Sequence, residues 1–272
     1  MRYDKALKAR TDHPNLSRSA QGRYIRSSRL RGTCVRVHDA VLELGSLFLD
    51  NDDWAVRFFG LTPRHATRGG RRPDGDALAG SPLQIASIDS HRRRIILRED
   101  CCTLAPLQQA LRGGVFPAGY TAELARQCNL PPFWNGTGTW GDHETPQACD
   151  GRTDGTREDK GETGDPPALV EDGTLMDRRV MCPDGRLGDI CDLVVDVEHW
   201  KTRYLIVRLF SDDEEEERLL SPFWISIQAD GSTIRVPMTK ATVLNAPCFD
   251  PDDLTRFDES VLAQYYGFLV ES

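Results

Sequence analysis

The sequence LVVDVEHWKTRYLIV, residues 193–207, has two runs of branched and aromatic residues on either side of a short polar segment. Such runs are typical of β-strands when polar turn residues bound them. Asp196 can open the turn, because its side chain accepts hydrogen bonds from the backbone that follows it. We therefore predict a hairpin with strands over Leu187–Val195 and Arg203–Phe210, and with Trp200 packed at its end.

The same pattern occurs earlier in the chain, in LFLDNDDWAVRFFGL, residues 47–61. The matched residues are Asp50 with Asp196, Trp54 with Trp200, Arg57 with Arg203 and Phe58 with Tyr204. Further pairs follow in the same order, namely Ser81-Pro82 with Ser221-Pro222, Ile85 with Ile225, Arg94-Ile95 with Arg235-Val236 after a one-residue slip, and Ala105-Pro106 with Ala246-Pro247. This shared order indicates an internal repeat.

The two copies are separated by residues 135–171, which are rich in Gly, Asp, Thr, Glu and Pro and poor in large aliphatic side chains. Because such a segment buries little apolar surface, we predict a flexible, low-complexity linker there. Residues 1–30 carry an excess of arginine and lysine, and we expect a basic, disordered arm. The repeats are then residues 31–134 and 172–268, each mainly β and each followed by a short helix.

The second copy carries a longer ordered set of landmarks. They are Asp184, Gly185, Gly188, Ile190, Asp192, Asp196, Trp200, Arg203, Tyr204, Ser221-Pro222, Thr239-Lys240, Ala246-Pro247 and Tyr265-Tyr266-Gly267. In this combination the segment resembles the C-terminal half of bacterial proteins with two PRC-barrel domains. The first copy is degenerate, because it lacks the Asp-Gly and the second Gly and has an arginine- and glycine-rich insert at residues 67–76. Its tail, residues 123–134, resembles the closing helix and ending of the family.

The resemblance implies two tandem small β-barrels of the PRC type. The family includes the cytoplasmic part of the photosynthetic reaction centre H subunit and a ribosome maturation factor, where the barrel is a docking surface without catalysis. The Asp, Trp and Arg of each hairpin are therefore candidate binding residues. We favour a structural role for them, since a hairpin end needs a turn-opening aspartate, a packed tryptophan and an arginine stem over that tryptophan.

Composition favours a soluble, cytoplasmic protein. No stretch reaches the roughly 18 consecutive apolar residues of a membrane helix, and the N-terminus has no apolar signal core. The eight cysteines form no CxxC pair, so we expect reduced thiols and neither zinc ligands nor disulfides. The formal net charge of −8 disfavours binding of nucleic acid over the whole surface.

No motif in the sequence predicts catalysis, a cofactor or a bound metal. The six histidines lack the spacing of zinc ligands, and no G-x-S-x-G motif offers a nucleophile. Residues 136–141 match G-x-G-x-x-G, but the dinucleotide fingerprint requires a strand before it and a helix after it, and an acidic segment follows here. We interpret the acidic run at residues 212–217 as a solvated loop.

These observations predict a non-enzymatic adaptor that binds a protein partner or a second copy of itself through its barrel surfaces. One alternative is an RNA- or ribosome-associated accessory factor that uses the basic residues 1–30, because basic arms release counterions on binding RNA. A second alternative is an enzyme whose site lies between the two barrels, which requires a pocket with convergent titratable groups.

Overall fold

The computed structural model describes eight segments of the chain. They are residues 23–63, 77–89, 92–99, 102–107, 115–149, 164–209, 216–227 and 233–267. Strands predominate within them, which confirms the prediction of a mainly β protein. The insert at residues 67–76 and most of the acidic run, residues 212–215, lie outside the described residues.

The described residues form sixteen strands, numbered in chain order. They are β1 (Tyr24–Arg26), β2 (Cys34–Val37), β3 (Ala40–Asp50), β4 (Val56–Pro63), β5 (Leu78–Gly80), β6 (Ile85–Asp89), β7 (Arg94–Leu97), β8 (Ala105–Pro106), β9 (Val115–Phe116), β10 (Leu169–Glu171), β11 (Arg179–Cys182), β12 (Gly185–Asp196), β13 (Lys201–Leu209), β14 (Glu217–Leu220), β15 (Ser226–Ile227) and β16 (Thr233–Arg235). The long strands β3, β4, β12 and β13 form the two predicted hairpins.

These strands assemble into two sheets. The first sheet has the order β6-β7-β2-β3-β4-β5-β8, with β10 paired to β3 and β9 paired to β10. The second has the order β14-β13-β12-β11-β16-β15, with β1 paired to β12. In both orders the two end strands do not pair with each other within the described segments, so each sheet is open in its hydrogen bonding. Buried residues from the two sheets form one continuous hydrophobic core.

Helices are short in this fold. They are α1 (Ser27–Leu30), α2 (Ala118–Gln127), α3 (Lys240–Leu244) and α4 (Arg256–Gly267), with 3₁₀ turns at Pro82–Gln84, Pro146–Ala148, Asp172–Leu175 and Pro222–Trp224. Helix α4 begins where Thr255 and Asp258 cap it reciprocally, each side chain accepting a hydrogen bond from the other residue's backbone N–H. None of the helices in the described segments has the length and apolar character needed to span a membrane.

The internal repeat is visible in the details of the two hairpins. The β3–β4 ladder is irregular between Leu44 and Ser46 and between Phe48 and Leu49, and the β12–β13 ladder is irregular at the matching places. One predicted pairing is wrong: Arg94 lies opposite Cys34 in the parallel β2–β7 pair, as Thr233 lies opposite Arg179 in the β11–β16 pair. Arg94 therefore matches Thr233 and not Arg235, because the buried isoleucine after each has to enter the core.

Each repeat is preceded by a short strand that pairs with the sheet of the other repeat. β1 precedes the first repeat and pairs antiparallel with β12, with Tyr24 opposite Asp196. β10 directly precedes the second repeat and pairs antiparallel with β3, with Leu169 opposite Asp50. The exchange is reciprocal, so the two repeats contact each other as the subunits of a two-fold dimer do.

Two predicted boundaries need correction. The last part of the expected disordered arm, residues 1–30, forms β1 and α1, because Tyr24 and Leu30 are buried and β1 completes the edge of β12. The expected linker, residues 135–171, is ordered at both ends: residues 135–149 fold against the core through Trp140, and its last three residues are β10. Residues 1–22 and 150–163 lie outside the described residues.

Candidate functional site

The β3–β4 and β12–β13 hairpins turn at the repeated Asp and Trp, at residues 50–54 and 196–200. We call these the first and second signature turns, and they have the same construction. The Asp50 carboxylate accepts hydrogen bonds from the backbone N–H of Asp52 at 2.9 Å and of Asp53 at 3.3 Å. The Asp196 carboxylate accepts the equivalent hydrogen bonds from the backbone N–H of Glu198 at 3.0 Å and of His199 at 3.3 Å. This is the turn-opening role predicted for both aspartates.

Each turn ends on a tryptophan with an unusual backbone conformation. Trp54 has a φ of +64° and Trp200 a φ of +52°, in the left-handed region that bulky residues rarely adopt. The conformation costs about 1–3 kcal/mol and persists only where other contacts hold it. Here those contacts cross between the repeats, because the Val56 N–H donates to the Trp200 carbonyl at 2.7 Å and the Thr202 N–H donates to the Trp54 carbonyl at 2.9 Å. The two turns therefore meet at one contact.

The first-copy arginine is enclosed. Arg57 donates to Asp50 at 2.7 Å and to Asp53 at 3.0 Å, and it also donates to a backbone carbonyl of the segment that follows the first repeat. Its guanidinium lies over the rings of Phe133 and Trp140, at 4.9 and 5.0 Å from their centroids. The side chain is only 5% exposed. Arg57 therefore neutralises a buried carboxylate under a cover of aromatic rings, a different role from the predicted packing over Trp54.

The second-copy arginine is more open. Arg203 is 33% exposed and shares Asp196 with Arg23, which bonds the same carboxylate at 2.7 Å. Burial would raise the pKa of the Asp196 carboxyl, but hydrogen bonds from the two arginines outweigh it and lower the pKa to about 2. The cation that completes this site comes from outside the repeat, since Arg23 immediately precedes the exchanged strand β1.

A group of possible metal ligands lies at the same turn. One atom each of Asp196, Glu198 and His199 lies within 4.8 Å of the others. Arg23 already contacts all three: it donates a hydrogen bond to Asp196 at 2.7 Å, forms an ion pair with Glu198 at 2.7 Å and lies 3.0 Å from the His199 Nδ1. A metal ion would have to displace that guanidinium, so we interpret the group as an ion-pair network around Arg23.

A cleft of about 390 Å³ opens beside the second turn, between the two repeats. Its lining residues are Tyr24, Ile25, Arg29, Leu30, Thr33, Ile88, Asp89, Arg93, Arg94, Ile95, Val197, Trp200 and Asp252. β1, α1, β6, β7 and the second signature turn thus all contribute to it. Of the six signature residues, Trp200 is the one that lines this cleft.

A second feature distinguishes the copies at the 3₁₀ turn after Ser-Pro. Ser81 and Ser221 both cap this turn, by accepting a hydrogen bond from a backbone N–H of the turn. In the first copy Leu83 is 4% exposed, and the Gln84 side-chain amide donates to the carbonyls of Thr103 and Cys128. In the second copy Phe223 is 82% exposed and packs edge-on against the Trp224 ring at 4.8 Å. We call these two 3₁₀ turns the Leu83 corner and the Phe223 corner. The Leu83 corner is buried, whereas the Phe223 corner is exposed to solvent.

No family model and no curated protein matches the chain. Burial raises the pKa of the Cys128 and Cys191 thiols to about 12 and that of Cys182 to about 11, which keeps these thiols protonated at neutral pH. The segment 136–141 forms a tight turn that buries Trp140; within the described stretch 115–149 a helix, α2, comes before it and a 3₁₀ turn at Pro146–Ala148 after it. It therefore lacks the structural context of a dinucleotide site.

Three residues that shape these sites were not predicted from the sequence. Arg23 belongs to the expected disordered arm, Trp140 belongs to the expected linker, and Arg94 was matched to the wrong residue of the second copy. A signal existed for Trp140, since a lone tryptophan in an otherwise polar segment has a large apolar surface to bury. Arg23 had none, because its carboxylate partner lies 173 residues away in sequence.

Proposed function

We propose that the chain is a tandem PRC-barrel protein and acts as a non-enzymatic adaptor that binds a protein partner. Its support is the repeated hairpin signature, the matching irregularities of the β3–β4 and β12–β13 ladders, and the landmarks of the second copy. In this proposal each open sheet represents one small barrel of the family, and the reciprocal exchange of β1 and β10 fixes the two barrels against each other.

The observation that carries the adaptor proposal is the open corner at Phe223 and Trp224. A phenylalanine that is 82% exposed leaves most of its apolar surface in water, which is unfavourable unless a partner covers it. Aromatic side chains of this kind supply much of the binding energy in protein interfaces. The corner therefore has the composition of an interface anchor.

The first copy indicates what kind of partner fits this corner. There, backbone carbonyls of Thr103 and Cys128 and the surrounding segments cover the equivalent turn. These covering groups are main-chain atoms of the chain itself, brought to the turn from a loop and from the end of α2. We therefore expect an extended segment of a protein partner to cover Phe223, with an aliphatic pocket for the ring.

The RNA-binding alternative has less support from the described part of the arm. Three arginines of the arm form ion pairs within the chain, Arg23 with Asp196, Arg26 with Glu217 and Arg29 with Asp252, and so does the next residue, Arg31, with Asp172. An arginine already paired with a carboxylate gains less from a phosphate. That alternative therefore depends on the basic residues within 1–22.

The test compares partner capture by the wild type and by Phe223→Ser, with Phe257→Ser as the matched control. Phe257 is 73% exposed on α4, so its substitution removes a similar exposed ring from another surface. We expect that the wild type and the Phe257→Ser variant capture the same partner protein and that the Phe223→Ser variant does not capture it. Binding of that protein, once purified, should weaken at least tenfold in Phe223→Ser.

Two outcomes would contradict the adaptor proposal. One is equal capture by the two variants, which would place the interface elsewhere. The other is concentration-dependent dimerisation of the wild type that Phe223→Ser abolishes, because the corner would then bind a second copy of the chain. Sedimentation of both proteins over a range of concentrations separates this second outcome from the first.

A further inference from the structure

The cleft between the repeats has an apolar interior. Ile25, Leu30, Ile95, Val197 and Trp200 all line it, and a volume of about 390 Å³ lies within the usual range of sites for small molecules. A cleft lined in this way favours a ligand with an apolar body, because the ligand removes that lining from water.

Two residues of the cleft lining each have a buried side-chain N–H without a hydrogen-bond acceptor among the described residues. The Trp200 side chain is fully buried, and its Nε1–H has no hydrogen-bond partner among the described residues. The Nε–H of Arg94 is likewise buried without one in the described part of the chain. A buried donor without an acceptor destabilises the fold, so a ligand whose acceptor oxygens reach these groups is favoured.

The charge of the cleft favours an anion. Arg29 and Asp252 pair with each other, and Asp89 pairs with Arg92 just outside the cleft. Arg93 donates to the backbone carbonyls of Arg29 and Arg31, and within the described segments it forms no ion pair with a carboxylate. The charged residues of the lining are three arginines and two aspartates, so the cleft has a net positive charge. The arginines are Arg29, Arg93 and Arg94, and the aspartates are Asp89 and Asp252.

Arg94 is not required for the fold that the two repeats share. Arg94 occupies the strand position that Thr233 occupies in the second copy, directly before a buried isoleucine in both sheets. The β7 and β16 strands therefore form with either residue. Packing in the core explains why an isoleucine follows this position in both strands. It does not explain why the first copy has a guanidinium at this position.

We propose that this cleft binds a small organic carboxylate with an apolar body. The carboxylate accepts hydrogen bonds from the Arg94 Nε–H and the Trp200 Nε1–H, and the apolar body packs against the aliphatic lining. The site lies apart from the Phe223 corner, and the proposal does not rest on the adaptor function. Either one can fail without the other.

The test is isothermal titration calorimetry of the full chain with three probes: octanoate, octanamide and acetate. Octanamide keeps the apolar body and removes the charge, while acetate keeps the charge and removes the body. We expect octanoate to bind at least tenfold more tightly than either of the other two probes. Octanamide binding as tightly as octanoate, or no binding of octanoate up to millimolar concentration, would overturn the proposal.

Variants locate the binding in the cleft. Arg94→Gln removes the guanidinium, and Trp200→Phe removes the indole N–H while keeping a ring; each should weaken octanoate binding about tenfold. Trp54→Phe is the matched control, because it makes the same change in the equivalent turn, and it should leave the affinity unchanged. Ile88→Trp keeps both donors and fills the cleft from its rim, so it should abolish binding. Circular dichroism verifies that each variant is folded.

If octanoate binds Arg94→Gln and Ile88→Trp as tightly as it binds the wild type, the ligand lies elsewhere and the proposal is wrong. Two independent variants are needed here because Trp200 packs on the Phe59 ring at 4.8 Å and its replacement can disturb the core. Arg94 and Ile88 are partly exposed, so their substitutions test the cleft without that complication.

Discussion

The two copies of the signature share a turn and differ in what surrounds it. Asp50 and Arg57 are both buried, beneath Phe133 of the first repeat's tail and Trp140 of the segment that follows the repeat. Arg203 is one-third exposed, and the Asp196 that it binds also pairs with a second cation, Arg23, which directly precedes the exchanged strand β1.

The turn geometry is therefore common to both copies, and the two copies differ in the groups that surround it. The turn-opening aspartate and the left-handed tryptophan recur because both hairpins need them. The first copy is closed by its own tail, both at Arg57 and at the Leu83 corner. The second copy is left open at the cleft beside Trp200 and at Phe223, and both proposed sites lie there.

The largest expected effect is on the enclosed ion pair. Arg57→Met leaves the Asp50 charge buried without its cation, and we expect the free energy of unfolding to fall by about 4 kcal/mol. Arg203→Met is the matched control, because Arg23 still neutralises Asp196, and we expect a loss of about 1 kcal/mol. Urea unfolding followed by tryptophan fluorescence measures both. Equal losses in the two variants would mean that the enclosure of the first copy has no energetic consequence.

The next effect concerns the segment that covers Arg57. Trp140 is fully buried, and its Nε1–H donates to the His199 carbonyl of the second turn at 2.9 Å. Trp140→Ala should therefore lower the free energy of unfolding by about 3 kcal/mol. Trp134→Ala, a change at a half-buried tryptophan directly before this segment, should lower it by about 1 kcal/mol. A loss below 1 kcal/mol for Trp140→Ala would mean that residues 135–149 are an accessory to the fold.

Local patterns predicted the elements, and the order of landmarks predicted the repeat. The hairpin over residues 193–207 was predictable because the strand-forming runs, the turn-opening Asp196 and the packed Trp200 are all neighbours in sequence. Their match to residues 47–61 is confirmed by the shared ladder irregularities. Those features follow from short-range sterics and hydrogen bonding.

The exchange of strands between the repeats could not be predicted in the same way. β1 has three residues and pairs with a strand about 170 residues later, so no local pattern marks its partner. The cleft beside Trp200 depends on that exchange, since Tyr24 and Ile25 of β1 form part of its lining. Composition predicted disorder for residues 23–30 because arginines dominate there, whereas carboxylates of the second repeat pair with those arginines.

The smallest expected effect distinguishes the second copy by its response to acid. Asp196 has a folded-state pKa of about 2, below its ordinary value near 4, so its ionised form stabilises the fold. That contribution, about 2 kcal/mol, is fully present above the unfolded-state pKa and is lost as the pH falls towards the folded-state pKa. The stability difference between the wild type and Asp196→Asn should therefore shrink by about 2 kcal/mol between pH 5 and pH 2. Asp189→Asn, at a half-exposed pair with Arg186, is the control and should give a nearly constant difference. Parallel curves for wild type and Asp196→Asn would mean that Arg23 and Arg203 do not stabilise the Asp196 charge.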